Sequence, residues 1–189
     1  MADERTTRDR LVETAAYLFH RRGFHGVGLS EILKLAKAPK GVLYHHFPGG
    51  KPELAEAAIA FAADVFAAQI EAAGAACQCR GQFIEALGGL TVDDLEATQF
   101  KAGCPLATIA LETAPDDQRL SQACRQGFDL WIGVIAGHLG RLGSAAPERE
   151  AELVLASLEG AMAIARTRKD ARIVLDAAKA LARVGLVEG

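Results

Sequence analysis

The sequence predicts an all-α protein of about nine helices, a short helix-turn-helix head followed by a helical body. Three observations predict it. Apolar residues recur at i, i+3, i+4 and i+7 from Leu11 onward. No run alternates apolar and polar residues with β-branched enrichment, and no Asn-Gly hairpin turn occurs. Proline and glycine fall between the periodic stretches, where helices start and stop.

Thr6 and Thr7 are N-cap candidates, and Thr6 with Asp9 approximates a capping box. Behind them Leu11, Ala15, Leu18 and Phe19 form the apolar stripe of a first helix, which Gly23 stops. A short second helix turns Leu29, Ile32, Leu33 and Ala36 inward. Lys37-Ala38-Pro39 interrupts it, because proline disfavours helical backbone at Ala38 and suits the first position of a new helix. That third helix runs from Lys40 to Phe47 and ends at Pro48-Gly49-Gly50. Pro52 opens a long fourth helix with Leu54, Ala57, Ala58, Phe61, Val65 and Phe66 along one side. After Gly74 the pattern loosens. Residues 81–96 read as a helix with Phe83, Leu87 and Leu90 inward, and 98–103 as a loop. Pro105 starts a short helix that Pro115 ends, and 116–142 form one long helix with Leu120, Cys124, Trp131, Ile135 and Leu142 on a common side. Gly143 to Ala146 link this to two last helices, 147–167 and 170–187.

Composition narrows the class. Of 189 residues, 50% are hydrophobic and 24% charged, which excludes wholesale disorder. The first residues lack the apolar stretch of a secretory signal, and no charge-free apolar run approaches the ~20 residues that span a bilayer. Four scattered cysteines are too few for a disulfide framework, so a cytoplasmic protein with reduced thiols and no membrane partner is expected. Charge is unevenly placed. Residues 1–52 carry nine Lys and Arg against five Asp and Glu, net +4, whereas the remaining 137 carry net −7. A basic head on an acidic body points to a polyanion-binding module at 1–51 joined to a second domain at 52–189.

Residues 29–47 have the proportions of a helix-turn-helix. Ile32, Leu33, Ala36, Val42 and Leu43 close a small core with the first helix, leaving Lys40, Gly41, Tyr44 and His45 outward. Lysine neutralises a phosphate, tyrosine and histidine donate hydrogen bonds to it, and glycine lets backbone approach closely. Pro39 aims the helix N-terminus at the anion. Here the chain resembles a known family. Gly23-Phe24, Ile32, the run Pro39-Lys40-Gly41-Val42-Leu43-Tyr44-His45-His46-Phe47-Pro48-Gly49-Gly50-Lys51 and Leu54 are similar to the DNA-binding head of TetR/AcrR-type transcriptional regulators. Gly103-Cys104-Pro105-Leu106-Ala107-Thr108-Ile109-Ala110-Leu111-Glu112 is similar to the LmrA/YxaF-like branch.

The resemblance implies a three-helix head, a ligand-binding body, and a homodimer built by the last two helices. It implies repression from a palindromic operator in double-stranded DNA, relieved by a small, largely apolar effector. It places Pro39, Lys40, Gly41, Tyr44 and His45 at the DNA and Lys51 on a phosphate. The chain departs from the family pattern twice. Val27 and Gly28 stand where the second helix usually begins with threonine, so Ser30 is the candidate replacement hydroxyl. Lys37 stands at a turn position usually occupied by glycine, which predicts a positive φ there and an added phosphate contact.

In the body, Phe83, Phe100, Phe128, Trp131 and Met162 are candidate walls of an effector pocket, with Glu112 and His138 as polar handles; ordinary core packing accounts for the same stripe. Ala156, Gly160, Ala161 and Ala165 on one late helix, and Ala178, Ala182 and Gly185 on the other, suit a close four-helix dimer interface or internal packing. A dimer is favoured because it reads a palindrome through half-sites about 34–36 Å apart. No cofactor or metal is expected. His45 and His46 point about 100° apart on a helix, and Cys77-Gln78-Cys79 is spaced too closely for a zinc site. Cys104 precedes Pro105 at a helix N-terminus, where a thiolate is favoured, which raises two rivals. One is a DNA-binding regulator sensing thiol oxidation. The other is an all-α enzyme with Cys104 as nucleophile, for which no histidine–acid pair is set by a motif.

Overall fold

A computed structural model of the chain describes residues 6–184, and these form nine helices and no strand. They are α1 (Thr7–Arg22), α2 (Leu29–Leu35), α3 (Lys40–His46), α4 (Lys51–Ala76), α5 (Arg80–Ala97), α6 (Pro105–Thr113), α7 (Gln118–Arg141), α8 (Pro147–Arg168) and α9 (Arg172–Arg183). The last helix ends at Arg183, short of the expected Val187, with Val184 extended at φ −95° and ψ 132°; Gly185 lies outside the described residues. Packing divides the chain into two compact units. One unit holds the described residues up to Asp64 together with Pro105–Gly127; the other holds Val65–Cys104 and the described residues from Phe128 on.

The first unit begins with the anticipated capping box: Asp9 N–H donates to Thr6 Oγ1 at 3.1 Å and Thr6 N–H to Asp9 Oδ2 at 3.1 Å. Gly23 ends α1 at φ 71°, a left-handed value open to glycine. Leu11, Ala15, Leu18 and Phe19 are buried with Ile32, Ala36, Leu43 and Phe47, and the two short helices pack on α1. Leu29, Leu33 and Val42 are half-buried, less than their stripe predicts. The core side of α4 in this unit is Leu54, Ala55, Ala58, Ile59 and Ala63. Phe61 and Val65, expected inside, are 37% and 45% exposed. The larger side chains suggested one face, but the partners of α4 meet the adjacent, smaller one. By length and composition α4 is apolar enough to cross a membrane, at mean hydropathy 1.3, yet its Leu54, Ile59 and Ile70 are core residues. Gly127 of α7 lets α6 in, since a Cβ there would fall 2.4 Å from Leu106.

In the second unit α5 packs on α9 and α8, burying Phe83, Ile84, Leu87, Leu95, Val154, Leu158 and Val174. Leu90 and Leu142, expected inside, are half-buried. Gly88 allows the contact with α9, because a Cβ on it would lie 2.6 Å from that of Ala178. Ala178 is 1% exposed and half-buried Ala182 stands over Gly81, so these α9 residues pack on α5. Ala161 and Ala165 of α8 are also buried, whereas Ala156 and Gly160 face outward. Arg80 ties three helices together. Its guanidinium pairs with buried Glu150 of α8 and donates to the Leu181 and Val184 carbonyls at the end of α9, at 3.2 and 2.7 Å.

Candidate nucleic-acid interface

Alternation of inward and outward residues on α3 builds the site. Leu43 and Phe47 are buried and anchor the helix, leaving Pro39, Lys40, Gly41, Tyr44 and His45 exposed. Lys40 and Tyr44 are one helical turn apart, and the ammonium lies 6.0 Å from the ring centroid. The Tyr44 ring rests 3.5 Å from where a Cβ of Gly50 would stand, so the turn after α3 backs it. Around Gly41 nothing lies within 4 Å of a Cβ position, and the protein itself does not require glycine there. Ser30, Lys34 and Lys37 are exposed on α2 and the turn. Lys37 adopts φ 51°, as its place in the turn predicts. No acidic residue occurs from Ile32 to Pro52, and the preceding Glu31 is paired with Arg22 at 2.6 Å. This surface is therefore a basic, polar face on a short helix, suited to phosphates and base edges.

Lys51 has a partner within the chain. Its Nζ donates to the Phe24 carbonyl at 2.7 Å and lies 4.1 Å from the Phe24 ring. Burial pushes its pKa down, against the opposing pull of Glu112. The ammonium faces the corner between α1 and α2, where it holds the Phe24 carbonyl.

Residues 11–58 match the family described as "Bacterial regulatory proteins, tetR family". Residues 81–180 match "Transcriptional regulator LmrA/YxaF-like, C-terminal domain". The chain belongs to the TetR family. It is 33% identical over 171 residues to the uncharacterized HTH-type transcriptional regulator Rv0196 of Mycobacterium tuberculosis, covering 86% of each. Over 44 residues, 23% of this chain and 22% of the relative, it is 52% identical to the HTH-type transcriptional repressor NemR of Escherichia coli. Its fold is similar to that of a regulatory protein TetR from Rhodobacter sphaeroides, at TM-score 0.80 and 23% identity, covering 94% and 97% of the two chains. This TetR-family chain is accordingly a DNA-binding transcriptional regulator, and its relatives are regulators, not enzymes.

The regulator's body gathers some of the expected pocket residues and separates others. Trp131 is 1% exposed and meets Phe66 and Phe128 edge-on at 4.8 and 5.8 Å. Phe83 is fully buried against His138, ring centroids 5.2 Å apart, and Met162 is buried on α8. Half-buried Phe100 follows α5, its N–H returning to Leu95 O at 2.7 Å while Gln99 and Phe100 take φ 54° and 60°. His138 is already engaged within the chain. Its Nε2 lies 3.0 Å from Glu71 and its Nδ1 3.3 Å from Arg141, so both ring nitrogens have protein partners. Glu112 lies in the first unit, where its carboxylate accepts from the His25 backbone N–H. Sequence reasoning missed Glu71 and Arg141, which lie on polar faces and carry no motif.

Cys104 and Cys124 are buried, while Cys77 is half-buried and Cys79 exposed. Cys104 is buried, and its thiol donates to the Glu159 carboxyl, whose pKa burial pushes up. Burial raises the Cys124 thiol to about 11. Among the described residues no group of three or more His, Cys, Asp and Glu is placed to hold a metal ion.

Proposed function

We propose that this TetR-family regulator is a homodimeric repressor that leaves a palindromic operator when its body takes up a small, largely apolar effector. The observation that carries the DNA side is the exposed row Pro39, Lys40, Gly41, Tyr44 and His45 above buried Leu43 and Phe47. Ser30 and Lys37 supply flanking phosphate contacts. The likeness of this head to that of NemR, a transcriptional repressor, supports the sign of regulation. For the effector, the aromatic cluster of Phe66, Phe128 and Trp131, with Phe83, Phe100 and Met162 in the same unit, supplies apolar recognition. To act, the effector binds the released state several kcal/mol more tightly than the DNA-bound one. Such a protein works where the DNA is, in the cytoplasm.

The dimer face is the outer side of α8. Leu153, Ala156, Gly160 and Ile164 are exposed at helical spacing, and a Cβ on Gly160 would meet nothing within 4 Å. The outward side of α9 carries Arg172, Asp176, Lys179 and Arg183, a charged rim beside that apolar strip.

The test uses the duplex flanking the protein's own gene. Wild-type protein is expected to bind a palindromic fragment there in fluorescence anisotropy and to release it with one of a panel of aromatic compounds. Tyr44→Ala is expected to lose about tenfold in affinity with the dimer intact. Unaltered affinity at physiological salt would count against α3 as the reading helix.

A further inference from the structure

The corner between α1 and α2 is held by groups remote in sequence. Glu112, in the last turn of α6, accepts a hydrogen bond from the His25 backbone N–H at 2.9 Å, 87 residues away. The other carboxylate oxygen lies 1.6 Å from where a Cβ on Gly23 would be, so the carboxylate fits because residue 23 has no side chain. Lys51, opening α4, holds the intervening Phe24 carbonyl at 2.7 Å. Three successive residues are thus gripped by two helices, and the chain leaving this corner becomes α2 and then α3. Glu112 is exposed, beside a groove of about 670 Å³ lined by Phe24, His25, Thr113 and Asp116. Water reaches this bond, so it adds little to global stability and acts mainly on direction.

We propose that Glu112 is a positioning residue for DNA binding, its carboxylate fixing the α1–α2 corner so that α2 and α3 meet the duplex in one orientation. The proposal rests on α3 being the DNA reader. It gives the Gly103–Glu112 run of the sequence a physical role: α6 ends on the group that sets the head.

The experiment compares full-length Glu112→Ala, Glu112→Gln and Tyr44→Ala with wild type. Operator affinity is measured against salt, and the His25 amide is followed by hydrogen exchange. Glu112→Ala is expected to lower affinity about three- to tenfold. The salt slope stays unchanged, because no phosphate contact is removed, and His25 exchange accelerates. Glu112→Gln keeps an acceptor oxygen and is expected to recover most of both. Tyr44→Ala is expected to lose affinity with His25 exchange as in wild type, so a failure of α3 as reader shows in that variant alone. Wild-type affinity in Glu112→Ala, equal losses in the Ala and Gln variants, or lost affinity with His25 still protected would each overturn the proposal. A Glu112→Ala chain that fails to fold would make the residue structural and overturn it too.

Discussion

Gly23 is constrained twice, by its φ of 71° and by the Glu112 carboxylate occupying the place of a Cβ. Gly23→Ala is therefore expected to cost about 2 kcal/mol in urea unfolding. Lys37 shows the opposite balance. It holds φ 51°, where a side chain is unfavourable, and it is exposed, so nothing in the packing requires lysine. Lys37→Gly is expected to raise stability by about 1 kcal/mol while lowering the salt slope of operator binding by about 0.9 if the lysine meets one phosphate. Stability gained with no change in slope would leave Lys37 without a role at the DNA. Glu159 supplies a pH signature. Burial raises its pKa above the usual carboxylate value, so folding favours its protonated form. That contribution is complete below the unfolded pKa and is lost as pH rises through the folded one. Glu159→Gln is expected to melt higher than wild type at neutral pH, with the difference vanishing near the acid end of the titration.

Helix boundaries were largely legible because caps and breakers are local: Thr6 with Asp9, Gly23, Pro39 and Pro147 act on their own neighbours. Which side of a helix is buried was less legible, because that depends on the helix opposite. α4 buries Ala55, Ile59 and Ala63 in place of Phe61 and Val65, and α9 turns Ala178 onto Gly88. The site divides in the same way. The outward row of α3 follows from one short amphipathic helix, whereas the roles of Lys51, Glu112 and His138 depend on partners 27, 87 and 67 residues away. Two variants test the packing of the second unit. Arg80→Ala strands buried Glu150 and the carbonyls ending α9, and is expected to cost about 3 kcal/mol in denaturant unfolding. Gly88→Ala drives a methyl into Ala178 and is expected to cost about 1–3 kcal/mol.

Two weak readers joined by symmetry bind far better than either alone, so the α8 face should control DNA binding from a distance. Leu153→Asp combined with Ile164→Asp is expected to yield a folded monomer in sedimentation and to reduce operator affinity by roughly a hundredfold or more. A dimer persisting in that variant would place the interface elsewhere. Glu112 on His25, and Arg119 of α7 paired with Glu56 at 3.4 Å beside Gly49, join α6 and α7 to the head as one compact unit. A chimaera spliced at residue 51 onto a foreign sensor would leave both braces behind. Swapping specificities in this protein calls for a transplant in two pieces, the second taken from the middle of the gene.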